Sequence, residues 1–519
     1  MEIIEDKYLA VRTRNPDKIT KAIKRSQVIR KEDDISTVAV EWDLEEAQWL
    51  RYLNFKNVPS PIRRDYGWPG LFTPMAHQRD TAEFLTLHNR AFCFNEQGTG
   101  KTASAIWASE YLMSEGAIKR VLVVCPLSIM QAAWQRDLFN FAMHRKVGVA
   151  HGDKDKRVRI IRGDYDYVII NFDGVSIVAD EIAKGGFDLI IIDEANAYKT
   201  ATTKRWKAMN KLVTTDTWLW MMTGTPAAQS PADAYGLAKM CVPHNVPKFY
   251  TTFKESVMVQ ITRFKWIPKP NASTIVHTAL QPAIRFEKKD CLDLPPITYT
   301  DREAALTPQQ KKYYELLKKE FLVMAGEEEI TSANVAVNLN KLLQISGGAV
   351  YTNSGATVEF DVSNRLSVVD EVIEEASHKV LVFVPFTHTI TLLKEHLVKL
   401  HIPCEVISGS VSATKRNDII QRFQTKDEDD IKVLIIQPAA AAHGITLTAA
   451  DTIIWYAPVT STEIYLQANA RIDRQGQKNA MTVVHIVGSQ IEQKIYRMLR
   501  EKLGDHAKLI DLYREELTQ

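Results

Sequence analysis

The stretch Arg90–Leu112, RAFCFNEQGTGKTASAIWASEYL, predicts a strand, a glycine-rich loop and a helix in immediate succession. Its apolar start is typical of a buried strand, and the alanine-rich second half is typical of a helix. A glycine-rich turn that opens a helix presents backbone N–H groups, and these groups bind phosphate oxygens. We therefore expect the loop Asn95–Thr102 to bind a triphosphate, with Lys101 reaching the β- and γ-phosphates and Thr102 holding Mg²⁺.

This loop departs from the usual G-x-x-x-x-G-K-[ST] pattern at its first position, where Asn95 replaces glycine. A simple surface turn is therefore the alternative interpretation. The order of strand, loop and helix favours the phosphate loop, because it aims a helix N-terminus at the ligand.

A second apolar run ends in two carboxylates, in the stretch IIIDEANAYKT at Ile190–Thr200. Continuous isoleucines are typical of a parallel strand that is buried on both faces. We expect Asp193 to hold Mg²⁺ through water and Glu194 to polarise the attacking water. The alternative is a helix start, where adjacent acids interact favourably with the helix dipole. A phosphate loop on a preceding strand favours the catalytic interpretation.

Similar apolar runs recur along the chain and predict an α/β fold with two parallel-sheet lobes, at 71–245 and 363–519. A more helical segment, 246–362, lies between them, and a small α+β domain, 1–70, precedes them. In that domain YLAVRTR and STVAVEW predict strands, and the basic segment NPDKITKAIKRSQVIRK between them predicts a helix. The runs that predict lobe strands are RAFCFN, KRVLVVCP, DYVIINF, FDLIIIDE, TWLWMMTGTP, HKVLVFVPF, PCEVISG, IKVLIIQP, DTIIWYAP and MTVVHIVG.

Composition narrows the class of protein. A chain of 519 residues predicts two to four domains. The formal net charge of +2 means that any nucleic-acid surface is local, because there is no global basic field. Five scattered cysteines without a CxxC pair argue against a zinc site and a disulfide framework. No apolar run reaches the roughly 20 residues of a membrane span, and the start lacks a signal sequence, so we expect a soluble, intracellular protein.

A basic segment near the C-terminus, YLQANARIDRQGQ at Tyr465–Gln477, carries two arginines. On a helix, Gln467, Arg471 and Arg474 would share one face, because they are spaced i, i+4 and i+7. A solvated charged face is the alternative. Arginines that face a triphosphate stabilise transition-state charge, an effect of about 10³–10⁵ in rate.

Together these motifs resemble the Swi/Snf-related ATPases of helicase superfamily two, and in particular the compact bacterial and bacteriophage members. They occur in the family's order between residue 73 and about residue 477. The motifs are TPMAHQ, NEQGTGKT, VVCPLSIMQAAW, IIIDEANAYKT, MMTGTP, KVLVFVPF, ISGSVSATKRNDIIQRF, AAHGITLTAADTIIWYAP and QANARIDRQGQ.

The resemblance implies two RecA-like lobes with helical insertions, which bind ATP and Mg²⁺ and contact DNA. The implied metal ligands are Thr102 and Asp193. Thr223 and Thr225 would couple the site to DNA, and Asn196 stands where the family usually has histidine. The implied nucleotide-binding set is Gln78, which would read adenine, with Gln97, Gly98, Thr99, Gly100, Lys101, Thr102, Gly444 and Gln467. The implied catalytic set is Lys101, Asp193, Glu194 and the arginine fingers Arg471 and Arg474.

The resemblance favours double-stranded DNA, bound without sequence preference. Eight Lys and Arg residues between positions 11 and 31 face one acid, Asp17, which makes the N-terminal domain a candidate DNA contact. Arg63, Arg64, Tyr66 and Trp68 extend it, and a solvated face is the alternative. The lobe segments expected to contact DNA phosphates are PLSIMQAAW, NFDG, VPFTHT, SGS and AAHGIT.

We therefore expect an ATP-dependent translocase that remodels duplex or branched DNA, through fork remodelling, branch migration or annealing. A strand-separating helicase on RNA or single-stranded DNA is one alternative. The other is an ATP-gated protein-displacement or DNA-binding factor with little translocation. The expected location is the cytoplasm of a bacterial or phage-infected cell, or the nucleus if the protein is eukaryotic.

Overall fold

The computed structural model of the chain describes residues 1–227, 230–261, 266–327, 332–351, 357–425, 430–441 and 445–501. The chain divides into two compact units. The first holds Met1–Ala227, Pro231–Val257 and Lys269–Cys291, and the second holds the described residues from Leu292 onward together with a short hairpin. None of the helices in these described ranges is long and apolar enough to cross a membrane.

The N-terminal residues form a four-stranded antiparallel sheet in the order β1-β2-β4-β3. The two predicted strands are confirmed as β2 and β4. The predicted helix is only half right, because it ends at Ala22 and the rest of that segment pairs with β4. The open edge of β4 supplies hydrogen bonds that local sequence pattern cannot reveal. The elements are β1 Glu2–Ile4, β2 Tyr8–Thr13, α1 Pro16–Ala22, β3 Ser26–Glu32, β4 Ile35–Glu41, α2 Leu44–Tyr52 and α3 Ile62–Asp65.

The first lobe is a parallel sheet of seven strands with helices packed on it. The strand order is β13-β5-β10-β9-β6-β8-β7, in which β13 is the later segment Ala283–Ile284. Its five predicted strands are confirmed, and all five residues of both β6 and β9 are buried. The edge strand β7 escaped prediction because only every second residue of it is buried. The elements are α4 Ala76–Thr86, β5 Arg90–Cys93, α5 Lys101–Ser114, β6 Val121–Cys125, α6 Arg136–Phe141, β7 Val147–Ala150, α7 Lys154–Arg162, β8 Tyr167–Asn171, α8 Phe172–Ile177, α9 Ala179–Lys184, β9 Leu189–Asp193, α10 Lys204–Leu212, β10 Trp218–Met222 and α11 Ala234–Cys241.

The segment that follows is helical, as predicted, but it also supplies strands to both lobes. Strand β13 pairs with β5 of the first lobe, and β14 pairs with β21, Met481–Val487, of the second lobe. Strand β14 was not predicted, because its polar, mostly accessible residues are typical of an edge rather than of a core. The elements are α12 Tyr250–Val257, β11 Met258–Gln260, β12 Trp266–Pro268, α13 Ala272–Ala279, β13 Ala283–Ile284, α14 Lys288–Cys291, β14 Ile297–Glu303, α15 Pro308–Glu327, α16 Ser332–Gly347, β15 Ala349–Tyr351 and β16 Thr357–Glu359.

The second lobe is a six-stranded parallel sheet in the order β14-β21-β20-β17-β19-β18. Its five predicted strands are confirmed, and with them the fold class of two RecA-like parallel-sheet lobes and a small N-terminal α+β unit. The elements are α17 Ser363–Glu375, β17 Lys379–Phe383, α18 Thr387–Lys399, β18 Cys404–Ile407, α19 Ala413–Phe423, β19 Val433–Ile436, α20 Pro438–Ala441, β20 Ala450–Trp455, α21 Thr462–Asn469, β21 Met481–Val487 and α22 Gln490–Arg500.

Candidate ATPase site

Three strands of the first lobe end side by side. Met222 at the end of β10 pairs with Cys93 at the end of β5 and with Asp193 at the end of β9. Because the strands are parallel, the loops that follow them leave from one edge of the sheet. This edge therefore brings together the loop Asn95–Thr102, the acidic pair and the segment Thr223–Thr225.

The loop after β5 has the backbone of a phosphate loop. Gly98 and Gly100 have φ angles of 84° and 82°, in the left-handed region that favours glycine. A Cβ atom on Gly100 would lie 2.2 Å from Nε2 of Gln78, so any other residue would both displace the Gln78 side chain and strain the backbone. Lys101 folds back and donates from Nζ to the carbonyl oxygens of Asn95, at 2.8 Å, and Glu96, at 3.1 Å. The ammonium group is thus held against the start of the loop.

Asn95, the departure from the usual pattern, anchors this loop. Its side chain is buried; Nδ2 donates to Oγ1 of Thr81 at 2.8 Å, and Oδ1 accepts from the backbone N–H of Phe286 at 3.0 Å. The amide thus ties the loop to α4 and to the chain after β13. The sequence alone could not predict this role of Asn95, because neither partner is near it along the chain.

Gln78 lies against the same loop. Its Oε1 accepts from the N–H of Met75 at 3.0 Å, and its Nε2 donates to the carbonyl oxygen of Thr99 at 3.2 Å. Thr99 also accepts a hydrogen bond from the ring of His77 at 2.8 Å. Gln78 therefore supports the phosphate loop, and its reading of adenine stays a prediction.

The acidic pair leaves β9 with a strained backbone. Asp193 is buried; its Oδ2 accepts from the indole Nε1 of Trp134 at 2.9 Å, and its Oδ1 accepts from the N–H of Glu194 at 3.0 Å. Burial raises the pKa of Asp193, while the positive charge of Lys101 and these two donors favour the carboxylate. Glu194 has φ 54° and ψ 55°, a left-handed conformation that is uncommon for non-glycine residues.

Asn196 joins the acidic segment to the loop after β10. Its Nδ2 donates to the carbonyl oxygen of Thr225 at 2.9 Å and to Oγ1 of Thr225 at 3.1 Å. The N–H of Thr225 in turn donates to Oγ1 of Thr223 at 3.3 Å. Asparagine thus provides a physical link from the acidic pair to the residues predicted to couple the site to DNA.

The residues at this edge fit a nucleoside triphosphate with Mg²⁺. The loop supplies backbone donors at the start of α5, Lys101 supplies positive charge, and Thr102 follows in the first turn of that helix. Nε2 of Gln97 is buried and has no hydrogen-bond partner among the residues that the structure describes. Buried polar groups are normally paired, so this amide is suited to a ligand.

In the second lobe, the predicted arrangement of the arginines on one helix is wrong. Helix α21 ends at Asn469, and Arg471 and Arg474 lie in the turns that follow. The guanidinium groups of Arg471 and Arg474 nevertheless lie close together, because NH1 of each donates to the carbonyl oxygen of Ile445 at 3.1 Å. The carbonyl oxygen of Gln467 accepts from Nε of Arg471 at 2.7 Å. Gly444, the remaining nucleotide-binding prediction, lies outside the described residues.

Long-range bonds hold the end of this helix and the turns that follow it. The indole of Trp455 donates to Oδ1 of Asn469 at 2.9 Å, and the carbonyl oxygen of Arg471 accepts from the N–H of Leu447 at 3.0 Å. These bonds join α21 and its exit to the neighbourhood of β20. Helical spacing cannot reveal them, since both partners are distant in sequence.

Several basic residues of the N-terminal unit serve packing. Arg63 pairs with Asp80 and Glu83 of α4, so the hypothesis of a DNA surface does not rest on it. Arg64 lies 5.0 Å from the ring centre of Trp42, and Tyr66 and Trp68 pack on rings of α5. In the described part of the chain, five basic residues of the segment 11–31 are exposed and have no carboxylate partner. One of them, Lys18, donates to the carbonyl oxygen of Leu53, and the other four have neither a hydrogen bond nor an ion pair from the side chain to any described residue. They are Arg12, Arg14, Lys24 and Lys31.

Comparison with protein families gives two matches. The SNF2-related domain matches residues 45–346, and the helicase conserved C-terminal domain matches residues 364–476. The first therefore covers more than half of the chain and includes the whole sheet edge described above.

Individual proteins and structures are similar at lower identity. Mouse (Mus musculus) chromodomain-helicase-DNA-binding protein 1-like is 25% identical over 495 residues, which are 88% of this chain and 53% of that protein. Human (Homo sapiens) chromodomain-helicase-DNA-binding protein 9 is 27% identical over 465 residues, which are 80% of this chain and 16% of that protein. The chain thus spans about half the length of the mouse relative and a much smaller share of the human one. The Sulfolobus solfataricus SWI2/SNF2 ATPase core in complex with dsDNA is 23% identical, with a TM-score of 0.42, over 87% of this chain and 97% of that one.

Proposed function

The chain belongs to the SNF2-related family, and from that membership we propose that it is a nucleic-acid-dependent ATPase that moves along duplex or branched DNA. The observation that carries the proposal is the edge of the first sheet, where the phosphate loop, Asp193 and Glu194 lie together. The names of the curated relatives, helicase and DNA-binding, support the same class of activity.

In the proposed reaction, the N–H groups of the loop and the ammonium group of Lys101 bind and orient the phosphates. Thr102 and Asp193 would hold Mg²⁺, which neutralises phosphate charge when it is bound. Glu194 orients a water molecule for attack on the γ-phosphorus. A new P–O bond forms, the bond to the leaving ADP breaks, and phosphate is released.

The second lobe would supply the remaining positive charge. We assign Arg471 and Arg474 as the residues that stabilise charge on the transferred phosphoryl group, with Gln467 supporting Arg471. Their common anchor on the carbonyl oxygen of Ile445 supports a joint role. We also retain the division into an accessory domain (1–70), the first lobe (71–245), a linking region (246–362) and the second lobe (363–519).

The proposed substrate is double-stranded DNA at forks or other branches, contacted through phosphates. The exposed, unpaired Arg12, Arg14, Lys24 and Lys31 support a DNA contact by the N-terminal unit. Fork remodelling, branch migration or annealing is the finer activity that we propose. The proposed location is the cytoplasm of a bacterial or phage-infected cell, or the nucleus of a eukaryotic one.

Substitution of the water-orienting carboxylate tests the ATPase. Glu194→Gln should lower DNA-stimulated hydrolysis by at least about 100-fold, since a positioned general base contributes about 10²–10⁴ in rate. Nucleotide binding should persist. Glu115→Gln, an exposed acid after α5, is the matched control and should hydrolyse ATP normally. Equal activity of Glu194→Gln and the control would contradict the assignment.

Displacement of a third strand from blunt and forked duplexes tests the movement. A duplex translocase should displace the third strand and show ATPase stimulation by blunt duplex. Stimulation by single strands only would favour a strand-separating helicase, and stimulation without displacement would favour a protein-displacement factor. Stronger stimulation by RNA than by any DNA would contradict the proposal.

A further inference from the structure

Trp134 is a buried residue of the first lobe whose side chain contacts Asp193 of the candidate site. Its side chain is fully buried, and its indole Nε1 donates to Oδ2 of Asp193 at 2.9 Å. The other oxygen, Oδ1, accepts from the N–H of Glu194. Both carboxylate oxygens are therefore held by donors of the protein, and this fixes the plane of the carboxylate.

The acceptor distinguishes Trp134 from comparable tryptophans. Trp107 and Trp220 are equally buried, and their indoles donate to the backbone carbonyl oxygens of Pro69 and His88. Burial of an indole normally requires some acceptor for its N–H. A carboxylate is a costly acceptor to bury, so ordinary packing does not explain the choice of Asp193.

The backbone around Trp134 has an uncommon form. Residues Met130–Gln135 form a π-helix between the 3₁₀ turn Leu127–Ile129 and α6. A π turn bonds residue i to residue i+5, and such turns are rare and are frequently found at functional sites. In an α-helix the side chain of Trp134 would be rotated by about 100°, one residue's turn, away from Asp193.

The same segment is expected to contact DNA. It follows β6, whose Val124 pairs with Ile192 beside Asp193, and it carries the stretch predicted to contact phosphates. Leu127 is exposed, and among the described residues no group pairs with the buried hydroxyl of Ser128. An unpaired buried hydroxyl is unfavourable, so a rearrangement that exposes it to a phosphate would gain a hydrogen bond.

We propose that Trp134 is a positioning residue that orients Asp193 toward the metal ion and transmits DNA contact at 126–131 to the ATPase site. The inference rests on the proposed function. Through Trp134, the DNA contact would be connected to the metal ligand Asp193 by a path that does not involve Asn196. The π turn is the element that changes, since its shift to an α turn would withdraw the indole from the carboxylate.

Trp134→Phe tests the proposal, because phenylalanine keeps an aromatic ring and lacks the N–H. Trp220→Phe is the matched control: it removes an equally buried indole that donates to a carbonyl oxygen. The affinity for a fluorescent ATP analogue is measured with EDTA and with Mg²⁺, and hydrolysis is measured with and without duplex DNA. Thermal unfolding is recorded for each variant.

For Trp134→Phe we expect the gain in nucleotide affinity on adding Mg²⁺ to fall about tenfold, the size of one hydrogen bond to a charged group. Affinity in EDTA should stay within about twofold, and the ratio of DNA-stimulated to basal hydrolysis should fall about tenfold. The control Trp220→Phe should keep both the gain in affinity on adding Mg²⁺ and the ratio of DNA-stimulated to basal hydrolysis. Trp134→His, which restores a ring N–H, should recover part of the Mg²⁺ effect.

Equal loss of affinity with and without Mg²⁺, or equal effects of the two phenylalanine variants, would overturn the positioning role. An unchanged stimulation ratio beside a weakened Mg²⁺ effect would overturn the transmission of DNA contact. Absence of DNA stimulation in the unsubstituted chain would contradict the proposed function, and the Mg²⁺-dependent binding would still decide the role of Trp134.

Discussion

Asn196 occupies a position where one side chain joins two loops of the candidate site. A histidine there could carry a proton and a charge, whereas an asparagine donates and accepts hydrogen bonds without titrating. Its two bonds to Thr225 run from the segment after β9 to the segment after β10. The link between these segments is therefore independent of protonation.

Asn196→Ala removes both of these bonds and should lower DNA-stimulated hydrolysis about tenfold, because each buried hydrogen bond contributes about 0.5–1.5 kcal/mol. Thr225→Ser keeps the backbone carbonyl and the hydroxyl that accept the bonds, so it should stay near the unsubstituted rate. Steady-state ATPase assays with and without duplex DNA measure the effect. If Asn196→Ala keeps its full dependence on DNA, the position does not couple the site to DNA.

Helices α17 and α22 of the second lobe are joined by a buried ion pair. Arg365 donates from NH2 to both carboxylate oxygens of Glu492 at 2.9 Å, and both side chains are almost fully buried. Glu492 also accepts from the N–H of Gly488 at 2.8 Å. Such a pair contributes little beyond a well-packed apolar contact, but it is costly to break, because one charge then stays buried alone.

Glu492→Gln should lower the free energy of unfolding by about 3–5 kcal/mol, since it leaves the buried guanidinium of Arg365 without a countercharge. Glu375→Gln breaks the exposed pair with Arg302 and should change the free energy of unfolding by less than about 1 kcal/mol. Chemical denaturation of the two variants measures the difference. Similar losses in both would mean that burial does not control the contribution.

Strand β21 carries a buried histidine that should make the second lobe sensitive to acid. His485 lies between the hydroxyl of Tyr465 and the carboxylate of Asp301, at 2.9 and 3.0 Å. Burial lowers the pKa of His485 to about 4, although Asp301 acts in the opposite direction. The folded state therefore binds a proton less readily than the unfolded state, whose histidine titrates near pH 6.5.

Stability should fall as the pH drops from about 6.5 to about 4, because the unfolded state takes up the proton in this range. The contribution of His485 is about 3 kcal/mol, and it is fully present above pH 6.5. His485→Gln should reduce the slope of unfolding free energy against pH in this window. An unchanged slope in that variant would show that His485 is not the titrating group.

At the scale of the molecule, the N-terminal sheet and the first lobe belong to one compact unit. Trp68 packs on Trp107 with ring centres 5.9 Å apart, and Gln48 donates to the carbonyl oxygen of Thr86 at 2.9 Å. Removal of residues 1–70 would expose this core surface of α5. Charge substitution is therefore the sharper test of a DNA contact by this unit.

A variant in which the four unpaired basic residues of the N-terminal unit are replaced by glutamine should bind DNA more weakly. Its affinity should also depend less on salt: the slope of log affinity against log salt concentration should fall in magnitude by about 0.9 for each DNA phosphate that the variant no longer neutralises. Thermal stability should not change, because these side chains are exposed and unpaired. Titration of labelled forked DNA at several salt concentrations measures the slope. The positions are Arg12, Arg14, Lys24 and Lys31.

The control removes the same charge from exposed lysines elsewhere in the first unit, and it should leave the slope closer to that of the unsubstituted chain. An equal change in both variants would mean that net charge, rather than this surface, governs binding. The control positions are Lys154, Lys184, Lys207 and Lys211.

The sequence by itself determined the two lobes, and it predicted the type of site. Runs such as LIIID in β9 report burial on both faces, and burial on both faces is what a parallel sheet with helices requires. The loop Asn95–Thr102 was predictable for a similar local reason, since its glycines and its lysine act within a few residues.

Only the tertiary structure decided which distant groups meet. The anchoring of the loop by Asn95, the indole of Trp134 on Asp193, the exit of Arg471 from its helix and the addition of β14 to the second sheet all depend on partners far along the chain. Periodicity encodes which side of an element is buried, whereas a hydrogen bond between distant residues forms only when the whole fold brings donor and acceptor together.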